Sequence, residues 1–284
     1  GSAMTITQRS VWGSVVKHTL LLLGAIMMLY PLLWMLSSSF KPQRIIFQDM
    51  GLWPTQFTVE NYVKGWTALG VPFSRFFVNS FIISIASVVG TVASCALAAY
   101  AFARLDFKLK SLWFSLMLVT IMLPFHVTLI PRYVMFFHLG WINTFLPLTV
   151  PHFLAVDSFF VFLIVQFIRG LPRELDEAAT IDGASEFQVF WNVIVPLSVP
   201  ALVTAGIFTF IWSWDNFFSQ LLYLSKLPLF TVPLGLRNFV DATDQSSFGA
   251  LFAMSCLSLI PAFVIFVSAQ QQLVEGVSRT GLKG

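Results

Sequence analysis

The chain has 284 residues, of which 57% are hydrophobic and 10% charged, and it contains 31 phenylalanines. Soluble domains carry about a quarter charged residues, so this composition excludes an ordinary soluble fold and indicates a chain that crosses a membrane several times. The formal net charge of +3 is too small to imply nucleic acid as a partner.

Cys95 and Cys256 both fall inside apolar runs. They read as small buried hydrophobes rather than a disulfide framework. Gly1-Ser2-Ala3 before Met4 looks like a cloning remnant, and no cleavable signal peptide is expected, because the first apolar run is long and lacks a small-residue cleavage site.

A membrane-spanning helix needs about 20 apolar residues. Thr19 to Phe40 meets this and holds Pro31, where a kink is expected. Lys41 to Arg75 is mixed, with Thr58 offered as the N-cap of a short helix. It reads as an ordered external loop. Phe76 to Ala103 makes a second span, in which Ala86, Gly90, Ser94 and Ala98 put small residues on one face for close helix packing.

Ser111 to Pro131 is the expected third span, broken near its outer end by Pro124 and Pro131. The fourth runs roughly from Pro147 to Ile168 with Asp157 as its one charge, and the fifth from Leu197 to Ser225 with Asp215 as its one charge. Asp241 and Asp244 belong to another outer loop, and Gln245 to Val274 gives the sixth span. The expected fold is therefore all-α: a polytopic membrane protein with six transmembrane helices. Residues 1–18 form the N-terminus, 19–274 the transmembrane domain with a polar loop at 169–197, and 275–284 the tail. The compact turn holding Arg104, Lys108 and Lys110 favours cytoplasmic termini.

The polar loop is unusually well punctuated. Leu171-Pro172 suits a helix start, and Glu174, Asp176 and Glu177 would lie at its positive end. Leu175, Ala178 and Ala179 form one face, Gly183 can end the helix in the left-handed region, and Ser185 with Gln188 makes a capping box for a second helix. Phe187, Phe190, Trp191 and Ile194 then fall at i, i+3, i+4 and i+7, and Pro196 ends the helix. Such a stripe either packs on its own spans or docks a soluble partner. The second reading is favoured.

Glu177-Ala178-Ala179, three residues, Gly183, nine residues, then Val193-Ile194-Val195-Pro196 resembles the EAA loop of bacterial ABC importer permeases. Leu171-Pro172, Asp182-Gly183-Ala184-Ser185, Ala98 to Arg104 and Val232-Pro233-Leu234-Gly235-Leu236 are similar to the maltose-type carbohydrate group. The sequence departs from that group at Trp214-Asp215-Asn216-Phe217, where the polar pair is swapped, and at Glu275, where a basic residue is common. The resemblance implies a permease that pairs with a second homologous permease in the bacterial inner membrane, together with two ATP-binding cassette subunits. An extracytoplasmic solute-binding protein would deliver a sugar. ATP and Mg would be held by the partner ATPase, and this chain would hold no cofactor. Glu177, Ala178, Ala179, Asp182, Gly183, Phe187, Phe190 and Pro196 would couple it to the ATPase. The tail from Arg279 to Gly284 would reach toward the same interface.

No Gly-x4-Gly-Lys-Ser/Thr or His-Glu-x-x-His occurs, and the four histidines have no metal spacing. On a continuous helix His152 and Asp157 would point about 140° apart, a poor dyad. Asp157, about ten residues or ~15 Å into its span, needs a partner or a wet cavity, and makes either an interhelical hydrogen bond or a polar contact along the solute path. Trp214, Asp215 and Asn216 either line the solute path, where they would suit sugar rings with apolar faces and hydroxyl edges, or mark the membrane interface, where tryptophan is also common. An anionic saccharide or glycerol phosphate is the alternative solute. A stand-alone facilitator or an intramembrane enzyme is a weaker reading.

Overall fold

The computed structural model describes residues 4–241 and 247–281, with side chains over 12–240 and 247–272. Gly1-Ser2-Ala3, Asp244 and Leu282-Lys283-Gly284 lie outside those residues, as do the side chains of Asp241, Glu275 and Arg279.

The order of helices is α1 (Met4–Ser39), α2 (Glu60–Thr67), α3 (Phe73–Arg104), α4 (Lys110–Ile121), α5 (Phe125–His138), α6 (Leu146–Thr149) and α7 (Ser158–Arg169). It continues with α8 (Glu174–Ile181), α9 (Glu186–Val189), α10 (Val195–Leu197), α11 (Val199–Trp214), α12 (Phe217–Tyr223), α13 (Val232–Asp241) and α14 (Phe248–Gly281). There is no strand among the described residues. Among the described residues, four stretches are long and apolar enough to cross a membrane: Trp12–Ser39, Phe73–Arg104, Leu146–Arg169 and Phe248–Gln272. Two bent pairs, α4 with α5 (102°) and Glu186–Leu197 with α11 (76°), bring the crossings among the described residues to six if each pair counts as one.

Three expected spans are broken. The third turns at Met122 to Pro124, while Pro131 sits inside α5 without ending it. Proline restricts the residue before it as well as its own φ, so Leu123-Pro124 is the effective breaker. The fourth is not one α-helix. After α6 comes a 3-10 turn at Val150–Leu154, then Ala155 in the left-handed region (φ 53°), and α7 begins only at Ser158. The fifth divides at Asp215 and Asn216, where the Asn216 side chain accepts a hydrogen bond from Ser219 N at 3.1 Å and caps α12. Asn and Asp compete with the helix by bonding nearby backbone, which favours caps over interiors.

The described residues fall into two compact units, one within 1–70 and 238–257, the other within 71–237 and 258–284. In the first, Lys41 is fully buried and donates to the carbonyls of Asp49 and Gly51, both at 2.6 Å. The Thr58 hydroxyl accepts from Glu60 N at 3.1 Å, just ahead of α2. The second unit is built around α3. Ala96, Ala99 and Ala103 of α3, with Ala201 and Ala205 of α11, are buried beside Phe160, Ile164 and Phe190. Small side chains let helix backbones approach closely.

Candidate functional site

The polar loop folds as a helix-turn-helix. Pro172 precedes the first helical residue by two, and α8 carries Glu174, Asp176 and Glu177 in its first turn. Gly183 takes φ +86°, a conformation that costs glycine little. Ser185 and Gln188 form both bonds of the capping box.

The faces of this module differ from the expected ones. On α8, Glu174, Glu177, Ala178 and Ile181 are exposed, whereas Asp176 and Ala179 turn inward. Ala178 and Ala179 therefore do not share a face in use. Ile181, 85% exposed, was not expected at the site. Its spacing of i+3 from Ala178 and i+4 from Glu177 was the readable signal. Asp182, Gly183 and Pro196 are exposed.

The aromatic stripe also divides. Phe187 and Trp191 are 67% and 61% exposed, while Phe190 and Ile194 are 4% and 1% exposed and belong to the core around α3. Phe190 packs on Tyr100, ring centroids 5.3 Å apart, so it is a core contact and not a docking surface. Val189 continues into a π-helical turn, Phe190–Ile194, and the chain bends at Ser198 rather than at Pro196. π-turns shift the register of a helix face, which the i+3 and i+4 count cannot anticipate.

Two side chains of α3 hold this module. Arg104 Nε lies 2.7 Å from Asp176 Oδ2, and Arg104 Nη2 donates to Leu171 O at 2.9 Å. Tyr100 Oη donates to Glu186 Oε2 at 2.7 Å. Burial pushes the Asp176 carboxyl up from its usual range, against the pull of Arg104. A cleft of about 540 Å³ lies here, lined by Tyr100, Arg104, Arg173, Asp176, Glu177 and Glu186 among others.

The second candidate region lies along α3. Asp157 precedes α7, and its Oδ2 accepts from Thr91 Oγ1 at 2.9 Å and lies 2.8 Å from His152 Nδ1. His152 and Asp157 thus form a pair after all, because the 3-10 turn and Ala155 remove the continuous helix. Ser94 Oγ donates to His152 O at 2.8 Å and accepts from Ala155 N at 3.1 Å. The small-residue stripe of α3 therefore seats a non-helical segment as well as helices.

A cavity of about 80 Å³ is lined by His152, Asp157, Thr209, Trp212, Asn216 and Gln220 among others. Of the expected solute-path residues it brings together Asp157 and Asn216. Trp214 is buried elsewhere, stacked on Phe210 at 5.5 Å with its Nε1 donating to Ser258 O at 3.1 Å. Asp215 is exposed and lies off this lining. No group of three or more metal-ligating side chains occurs among the described residues.

Residues 87–279 match the family described as binding-protein-dependent transport system inner membrane component. The probable ABC transporter permease protein YurM of Bacillus subtilis (strain 168) is 36% identical over 279 residues, 98% of this chain and 90% of that one. The trehalose/maltose transport system permease protein MalG of Thermococcus litoralis is 33% identical over 275 residues, 95% and 98% of the two chains. The sn-glycerol-3-phosphate transport system permease protein UgpE of Brucella abortus (strain 2308) is 30% identical over 282 residues, 97% and 99% of the two chains. A solved chain of a bacterial ABC transporter involved in the import of the acidic polysaccharide alginate has the same fold, with a TM-score of 0.84 over 94% of this chain and 98% of that one, at 20% identity. The chain belongs to the family of binding-protein-dependent transport system inner membrane components: it is a permease subunit of an ABC importer, not itself an enzyme, and works with separate ATPase and solute-binding subunits.

Proposed function

We propose that this permease passes a neutral sugar or oligosaccharide across the bacterial inner membrane, with α8 and the turn at Gly183 as the contact with the ATPase. A second, homologous permease completes the pore, and two ATP-binding cassette subunits hold ATP and Mg. Both termini and the 169–197 loop then face the cytoplasm. The observation that carries the reading is the exposed helix-turn-helix, with Glu177, Ala178 and Ile181 outward and Gly183 at φ +86°. Closure of the ATPases on ATP moves this knob as a body, and the pore changes access.

The neutral class is favoured over glycerol phosphate by the small cavity. Its ionisable groups are Asp157 and His152, and its other polar side chains carry hydroxyls, amides and the Trp212 indole N–H. A carboxylate repels a phosphate, whereas hydroxyls and amides suit sugar hydroxyls. The four-subunit complex, reconstituted in vesicles with its binding protein, should take up a neutral sugar only with ATP inside the compartment that holds α8. Uptake of glycerol phosphate in preference to every neutral sugar tried would sink the solute assignment. Uptake without ATP would sink the coupling assignment.

A further inference from the structure

Both halves of the exposed helix-turn-helix are fastened to one end of the same spanning helix. Arg104 ties α8, through the ion pair with Asp176 and the bond to Leu171 O. Tyr100, one turn earlier on α3, ties α9 through Glu186. Arg104 and Asp176 side chains are only 6% and 19% exposed. The Arg104 guanidinium is paired directly with one carboxylate and one carbonyl. Removing one partner of a buried pair leaves the other uncompensated.

The same helix holds the Asp157 segment further along. Thr91 and Ser94 bond Asp157, His152 and Ala155, and Gly90 lies against Phe153. At 1.5 Å per residue, Thr91 and Arg104 are about 20 Å apart along the axis. A rigid helix carries displacement over that distance when both of its ends are gripped.

We infer that Arg104 and Tyr100 are positioning residues that pass the movement of α8 and α9 into α3, which delivers it through Thr91 and Ser94 to the Asp157 segment. This rests on the reading that α8 meets the ATPase. Neither residue touches solute or nucleotide. Without the two side-chain tethers, α8 is held by its chain ends and by the apolar contacts of Ala179 and Ala184, while Val189, Phe190 and Ile194 still seat the following turn in the core, so ATP-driven motion of α8 is absorbed in part before it reaches α3.

The test uses the reconstituted complex and reads solute moved per ATP hydrolysed, a ratio that simple loss of folded protein leaves unchanged. Tyr100→Phe keeps the ring on Phe190 and removes only the hydroxyl, and should lower the ratio about 3-fold. Arg104→Asp and Asp176→Arg should each lower it about 10-fold with the ATPase still co-purifying. The double exchange should recover at least a third of the wild-type ratio. An unchanged ratio in all three single variants overturns the inference. So does a double exchange no better than the single ones, whether or not the ATPase remains bound. A cysteine at Ile181 separates the two readings. If it cross-links to the ATPase in an otherwise native complex while the tether variants couple normally, only the tether is wrong. If no cross-link forms anywhere on α8, the docking reading and the tether fall together.

Discussion

His152 Nδ1 lies 2.8 Å from Asp157 Oδ2, and the Thr91 hydroxyl reaches the same carboxylate oxygen at 2.9 Å. Five residues of α-helix would have turned the first two about 140° apart. The 3-10 turn at Val150–Leu154 and the left-handed Ala155 fold the chain back, so that both side chains converge on α3. An acid among apolar helices is thereby given two partners, which is what makes an ionisable group tolerable there.

Asp157→Ala should therefore take from Thr91 and His152 the acceptor they share, leaving them only their own 3.0 Å contact. Stranding a partly buried polar group costs about 1–3 kcal/mol, so the unfolding midpoint of the purified protein in detergent should fall by several degrees. Asp157→Asn keeps an acceptor oxygen and should fall less. In a double-mutant cycle, Asp157→Ala with Thr91→Val should be less than additive, as for any pair in contact. An unaltered midpoint in Asp157→Ala would show that the segment is held by packing alone.

Much of the architecture was legible because apolar runs of about 20 residues have few alternatives. Gly183, the capping box at Ser185 and Gln188, and the long α3 all follow from local rules. The interrupted elements were not legible. Hydropathy averages over Asp215-Asn216 and over Ala155, so a broken span scores like a whole one. The roles of Arg104 and Tyr100 were hidden for a different reason. Their partners Asp176 and Glu186 lie 72 and 86 residues away, and nothing local marks such a pairing. Phe190 and Trp191 parted company because neighbouring helical residues stand about 100° apart and the edge of the buried face falls between them. Trp214 went to the core because it stands two residues, about 200° of helix, from Trp212, which lines the cavity.

Gly183 tests the turn between α8 and α9. No atom lies within 4 Å of a Cβ placed there, so a substitution meets backbone strain alone. Positive φ is tolerated by Asn better than by Ala, and worst by β-branched residues. Uptake should rank Gly, then Asn, then Ala, then Val, with Val costing about 1–3 kcal/mol of local stability. Equal uptake by Gly183→Val and Gly183→Asn would show that the turn need not keep this conformation.

Gly90 tests the seat of the Asp157 segment. A Cβ there would lie 2.7 Å and 2.9 Å from the Phe153 ring and 3.0 Å from His152 C. Overpacking of that kind costs about 1–3 kcal/mol, so Gly90→Ala should lower the unfolding midpoint. Gly206 of α11 is the control. Its nearest atoms are Val88 Cγ1 at 3.5 Å and Val92 Cγ2 at 3.6 Å, ordinary contacts. Gly206→Ala should raise the midpoint, by up to about 1 kcal/mol from helix propensity. The two alanines moving the midpoint in the same direction would contradict the packing argument.

Asp49 gives the 41–58 loop a pH dependence whose sign is fixed. Its Oδ2 accepts from Thr55 N at 3.0 Å and Thr55 Oγ1 at 2.9 Å, its Oδ1 accepts from Gly51 N at 3.1 Å, and Lys41 Nζ stands 3.7 Å away. The Thr55 amide, foremost, then its hydroxyl, the Gly51 amide and Lys41 hold the carboxyl below its ordinary value, against the opposing effect of burial. A carboxylate with a lowered folded pKa adds stability that is fully present above the unfolded value of about 4 and is lost as pH falls through the folded one. Amide protection at Gly51 and Thr55, corrected for intrinsic exchange at each pH, should hold steady from about pH 7 to 5 and fall only below about 4. Asp49→Asn should show reduced protection that no longer varies across that range. The Lys41 bonds to the Asp49 and Gly51 carbonyls survive protonation of the side chain, so the loop should loosen at Thr55 before it opens at Lys41. Protection at Thr55 that persists well below the ordinary carboxylate range would mean that the lysine, not the aspartate, sets the loop.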